Sequence, residues 1–170
     1  SQKKYDQAII EFEKAYSRDS KSTLAIQGLT SARIAMGETA AAEKILKEIL
    51  KDNPRHPVAN ELLGSVYSYK GEYAQAEQAF IKQLEAGTNS PTIYIRMAES
   101  RMNQDNKKGA LDALNIGVEK QPRNLNLLIK LAQTYQLVGE LHKAEETFEK
   151  CLAMAPNNAN LKTMLESVRN

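Results

Sequence analysis

The side chains that could do chemistry are few. Cys151 is the only thiol in the 170 residues, and as a nucleophile it would need a base such as His142 close by. His56 and His142 are the only histidines, and they form neither a spaced metal set nor a triad with a serine. Gly109 and Gly117 lie in a helical stretch without a strand ahead of them, so they make no phosphate loop or dinucleotide fingerprint. The charged runs Glu43-Lys44, Lys47-Glu48 and Glu145-Glu146 with Glu149-Lys150 read as solvated helix faces with i,i+4 partners. That leaves Arg96 and Lys130, two cations 34 residues apart, which could meet a carboxylate if the fold turns both to one side. No cofactor, no metal and no catalysis is expected.

What would turn them to one side is a repeat. A small residue recurs at Ala8, Ala42, Ala76, Ala110 and Ala144, each 34 after the last. Four residues on stand Phe12, Leu46, Phe80, Leu114 and Phe148, so small and large side chains share one helix face. A second series, Leu29, Leu63, Met97 and Leu131, is followed four residues later by Arg33, Tyr67, Arg101 and Tyr135, which marks another helix in each unit. Between the two helices come Gly37, Gly71 and Gly139, with Asp105 in the fourth place, where a helix stop needs positive φ. Pro54, Pro122 and Pro156 end the second helices, with Ser20 and Thr88 in the same phase. The next helices start at Ser22, His56, Ser90, Asn124 and Asn158, all but the histidine being good N-caps. Pro57 and Pro91 follow at the first helical position. Cys151 falls on the rung of Ala15, Ile49 and Gly117, and a buried structural role is the preferred reading.

On these residues the chain resembles the tetratricopeptide repeat family. The family pattern is carried by Leu63, Gly64, Tyr67, Gly71, Ala76 and Phe80, and again by Leu131, Ala132, Tyr135, Gly139, Ala144, Phe148 and Pro156. The unit from Thr92 to Pro122 departs from it, with Arg101 where an aromatic is common and Asp105 where glycine is common. The resemblance implies an all-α, right-handed α-solenoid, a superhelix of tandem helix-turn-helix repeats with about ten helices. The phase gives a single array over 1–170: a lone second helix at 3–19, repeats at 22–54, 56–88, 90–122 and 124–156, and a capping helix at 158–169.

The resemblance also implies where a ligand goes, because first helices of the family line a concave face. Carried over by position, that face has Gln27 and Ser31 in one helix and Glu61, Ser65 and Tyr69 in the next. The following two contribute Ile95, Arg96, Glu99 and Asn103, then Ile129, Lys130 and Gln133. Two readings of Arg96 and Lys130 stay open: a ligand carboxylate, or pairing with Glu61 and Glu99 of adjacent repeats. The carboxylate clamp by which some members grip chaperone tails is not reproduced, since its positions fall on Gln27, Ser31, Leu62, Thr92 and Arg96, or on Glu61, Ser65, Arg96, Asn126 and Lys130. The expected partner is therefore a protein or peptide of another kind.

Bulk properties fit a soluble binding module. A formal charge of +2 gives little reason to expect nucleic acid, and no apolar run approaches a membrane span. One cysteine excludes an internal disulfide and leaves the redox compartment open. In the last helix Leu161, Met164, Leu165 and Val168 should pack backward, with Lys162, Glu166 and Arg169 forming a polar cap. Tyr5, Ile9, Phe12 and Tyr16 near the start lack a preceding partner helix in this sequence, so at least one further helix upstream, or self-association through this face, is expected. The Gly-Glu-Tyr and Gly-Glu-Leu turns are similar to bacterial tetratricopeptide lipoproteins of PEP-CTERM protein sorting and exopolysaccharide export. Bacterial cytoplasm and envelope both remain open, as does a role as the recruiting arm of an enzyme.

Overall fold

The computed structural model describes residues 2–170, with side chains from Lys4 onward; residue 1, where the expected array begins, lies outside the described residues. Among the described residues the regular structure is helical throughout. In chain order the helices are α1 (Gln2–Arg18), α2 (Thr23–Ala35), α3 (Thr39–Asp52), α4 (Pro57–Tyr69) and α5 (Tyr73–Glu85). They continue with α6 (Pro91–Asn103), α7 (Lys107–Lys120), α8 (Leu125–Leu137), α9 (Leu141–Met154) and α10 (Ala159–Arg169). The chain forms two compact units, residues 1–88 and 89–170.

The helix ends follow from local chemistry. Gly37, Gly71 and Gly139 adopt φ of +78°, +76° and +85°, and Asp105 takes the same left-handed conformation at +56°. Around each, the amide two residues past the helix cap bonds back to the last turn: Glu38 N to Arg33 O, Glu72 N to Tyr67 O and Asn106 N to Arg101 O at 2.8 Å, and Glu140 N to Tyr135 O at 2.9 Å. These are Schellman closures, which satisfy carbonyls that a helix end otherwise leaves orphaned. At the N-termini Ser22, Asn124 and Asn158 accept an amide hydrogen three residues on. Two expectations are corrected. His56 does cap α4, its Nδ1 accepting from Ala59 N at 3.2 Å, because an unprotonated ring nitrogen serves as well as a side-chain oxygen. Ser90 makes no side-chain cap bond; the amide of Ile93 is taken by the Ser90 carbonyl instead, at 3.1 Å.

In the first unit α4 and α5 form a close antiparallel hairpin. Gly64 lets it close, since a Cβ there would overlap the ring of Phe80, and both residues are buried together with Ala76. Gly28 does the same for α1 and α2, its missing Cβ leaving room for the Phe12 ring. Ile9, Leu29 and Ala32 are buried there, with Phe12, Tyr16, Met36 and Ile45 around them. As a result α2 lies along α1 more extensively than along α3. The start of the chain is thus covered by its own next helix, while Tyr5 and Ile10 remain 43% and 50% exposed.

In the second unit α6 with α7, and α8 with α9, make equally close hairpins. A Cβ on Gly117 would stand 2.9 Å from Tyr94 Cβ, so this glycine sets the approach of α7 to α6. The core continues through Leu128, Ala132, Ala144, Phe148 and Cys151 to Leu161, Leu165 and Val168 of α10. Each such aliphatic side chain removed from water contributes about 1.5–3 kcal/mol. The polar cap is more tightly held than the sequence suggests, because Arg169 reaches back to Glu145 at 2.6 Å and Glu149 at 2.5 Å.

Candidate protein-binding surface

Arg33, Tyr67, Arg101 and Tyr135 occupy one repeat position, and the structure shows how an arginine replaces the aromatic. Arg101 Nη1 donates to the Gly109 carbonyl at 2.8 Å, tying α6 to α7. Arg33 pairs with Glu13 on α1 and with Glu38. Tyr67 instead carries two ammonium groups over its ring, Lys47 at 5.8 Å and Lys70 at 5.7 Å. Lys70 also bridges Glu43 at 2.8 Å and Glu72 at 2.6 Å. Hydrogen bonds from Lys47 and then Lys70 hold the Glu43 carboxyl below its usual range, and those to Glu43 and Glu72 push the Lys70 ammonium up. The outer-face charges are therefore more than solvated pairs four residues apart: Glu43, Glu145 and Glu149 each join two helices, because repeat stacking brings a basic side chain within reach.

The candidate nucleophile and base of the sequence sit in different surroundings. Cys151 is buried among Ala144, Phe148, Leu161 and Leu165, and burial pushes its thiol up to about 11. His142 is exposed on α9 and faces Glu146 at 3.5 Å. Among the described residues no group of three or more His, Cys, Asp or Glu is placed to hold a metal ion.

The first helices present the expected ligand-facing residues in two sets. In the first unit α2 carries exposed Gln27 and Ser31, and α4 carries Glu61, Ser65 and Tyr69. Glu61 accepts from Gln83 Nε2 at 3.3 Å, Ser65 Oγ donates to the Glu61 carbonyl at 2.9 Å, and Tyr69 is 70% exposed. In the second unit α8 touches α6. Across that contact Lys130 Nζ lies 2.5 Å from Glu99 Oε1, the pairing that was one of the two readings of Lys130. Asn103 donates to the Glu99 carbonyl at 2.8 Å, and Ile95, Arg96, Ile129 and Gln133 are half-buried.

Two residues escaped the sequence reading. Leu137, at the end of α8 and two repeats on from Tyr69, is 71% exposed; the repeat phase was the signal for it. Asn60 sits on the core rung of Ile26, Tyr94 and Leu128 and is only 1% exposed. Its amide donates to the carbonyls of Pro54 at 3.0 Å and His56 at 3.1 Å, stapling the turn between α3 and α4. A polar residue on an apolar rung was the sign that this turn needed a donor.

The chain belongs to the tetratricopeptide repeat family: tetratricopeptide repeat models match residues 1–66, 61–105 and 125–158. Its fold is that of the all-α tetratricopeptide solenoids. It is similar to a thermophilic tetratricopeptide protein of Thermus thermophilus, with 19% identity, TM-score 0.71, and 96% of this chain and 90% of that one covered. MamA of Desulfovibrio magneticus RS-1 matches at 15% identity and TM-score 0.74, over 91% and 88% of the two chains. YrrB, described as having an unusual peptide-binding site, matches at 19% identity and TM-score 0.69, over 92% and 81%. These likenesses concern the fold. Protein O-mannosyl-transferase TMTC1 of Mus musculus is 23% identical over 141 residues, 81% of this chain and 15% of that protein. A DnaJ homolog subfamily C member 3 homolog of Dictyostelium discoideum is 24% identical over 143 residues, 75% of this chain and 28% of that protein. The chain thus spans less than a third of either relative.

Proposed function

We propose that this chain is a noncatalytic scaffold that binds a peptide segment or helix of another protein on the exposed faces of its first helices. One observation carries the reading. Tyr69 and Leu137, at the same repeat position on α4 and α8, keep large apolar side chains 70% and 71% exposed. Bulky side chains of low conformational freedom, held by a rigid hairpin, make good anchors for a partner. The peptide-binding site named for YrrB supports the same class of function. Affinity capture with the full-length protein from its source, followed by mass spectrometry, identifies the partner. Tyr69→Ala, Arg96→Ala and Lys130→Ala are then expected to weaken its binding, and unchanged affinity in all three overturns the proposal.

The narrower assignment, to bacterial envelope protein sorting or exopolysaccharide export, is supported by the turn sequences Gly71-Glu72-Tyr73 and Gly139-Glu140-Leu141; the captured partners test it directly. Self-association is supported by the exposure of Tyr5 and Ile10 on α1, and a strictly monomeric chain in light scattering removes it. A recruiting arm of an enzyme is supported by the match to a small part of an O-mannosyl-transferase, and a full reading frame without a catalytic domain removes that.

A further inference from the structure

We propose that the groove between α3 and α5, in the first unit, is a second docking surface, and that it takes a short acidic segment of another protein inserted through one bulky apolar side chain. The groove has a volume of about 630 Å³, within the range of sites that hold a large side chain or small ligand. Leu50, Leu63 and Ala79 line it with apolar surface, and Asn60 lies among them with its Oδ1 lacking any donor. Its charged lining is of one sign: Lys47, Lys51 and Lys82, without a carboxylate.

The sign of this lining is particular to the groove, which argues against an accident of the repeat. One repeat earlier, the positions of Lys47, Lys51 and Lys82 hold Glu13, Ser17 and Glu48. Of these, Glu48 lines a separate pocket between α1 and α3, together with Tyr16 and Asp52. Two carboxylates and a hydroxyl have thus become three ammonium groups. Helix α3 thus turns Glu48 and Asp52 toward α1 and Lys47 and Lys51 toward α5. Lys47 is already held by Glu43 at 2.6 Å. Lys51 and Lys82 make no ion pair among the described residues, so they are the two cations left to meet an incoming acid. An apolar floor under unpaired lysines matches a segment with a large hydrophobic residue flanked by carboxylates, and disfavours a basic one.

The test uses the whole chain and a short fluorescein-labelled peptide in which glutamates flank a phenylalanine, read by fluorescence anisotropy. Binding is expected to weaken about tenfold with Lys82→Glu, which restores the charge of the preceding groove, and to fall with added salt. Ala74→Trp, which fills the groove from its exposed edge and leaves every lysine in place, should abolish it. A peptide with lysines flanking the phenylalanine should not bind. Tyr69→Ala, which tests the first-helix face, should leave binding unchanged, so the two proposals fail separately. Absence of binding, indifference to both Lys82→Glu and Ala74→Trp, or equal loss with Tyr69→Ala overturns the assignment. Chain dimers abolished by Ala74→Trp would give the groove to a second copy and overturn it as well.

Discussion

Lys130 on α8 and Glu99 on α6 form an ion pair of 2.5 Å between first helices of consecutive repeats. Their side chains are 31% and 47% exposed, so the pair contributes on the order of 0–1 kcal/mol to stability. On the binding face proposed above, the same pair would set where a ligand meets charge.

Lys130→Ala is therefore expected to shift the denaturation midpoint very little while changing partner affinity, because it frees the Glu99 carboxylate on the proposed binding face. Combining Lys130→Ala with Glu99→Ala should restore part of the lost affinity. Equal losses of stability and affinity in the single variant would assign the pair a purely structural role.

Gly64→Ala should destabilise by about 1–3 kcal/mol, since the added methyl overlaps the buried Phe80 ring. Phe80→Leu in the same chain should recover part of that loss, as Ala98 and Leu114 stand at these positions one repeat later. A denaturant cycle over the four chains measures the coupling. Additive effects would mean that the two side chains do not set the α4–α5 spacing.

The hairpin turns predict substitutions of opposite sign. At Gly139, φ is +85° and an added Cβ has open space around it, so Gly139→Ala isolates the backbone cost, about 1–2 kcal/mol. At Asp105, with φ +56°, glycine relieves that strain but gains freedom in the unfolded chain. Asp105→Gly is expected to be neutral or to stabilise by up to about 1 kcal/mol, which thermal melts of the two variants compare directly.

Cys151 links stability to alkaline pH. Its buried thiol is pushed up to about 11 from an ordinary value of 9.0, so the unfolded chain loses its proton first. The stability this represents is complete below about pH 9 and is lost as pH rises toward 11. Cys151→Ala should flatten the alkaline decline in chemical denaturation, and an alkylating reagent at neutral pH should label the wild-type thiol only after denaturant is added. Rapid labelling of the native chain would contradict the burial of this side chain.

The helices and their ends were legible because each was written several times over: the alanine rungs, the four positive-φ turns and the caps at Ser22, Asn124 and Asn158 recur in phase. What recurs in phase cannot reveal what differs between copies. The cap at His56 depends on a ring nitrogen finding the Ala59 amide, and the silence of Ser90 on its carbonyl taking the Ile93 amide. The close approach of α2 to α1 rests on Gly28 admitting the Phe12 ring, a contact between residues with no motif in common. On the first helices the sequence placed Tyr69 and Lys130 but left two partners open for the lysine; choosing between them took the distance across α6 and α8.

A chain that repeats itself offers any guest a set of near-identical berths, and with them the risk of settling one step out of place. The exchange of Glu48 for Lys82 between the two outer grooves of the first unit removes that degeneracy. If the groove between α3 and α5 is the berth proposed above, an acidic guest displaced by one hairpin would meet Glu48 in place of Lys82, and the periodic wall would acquire a zero mark from which position is counted.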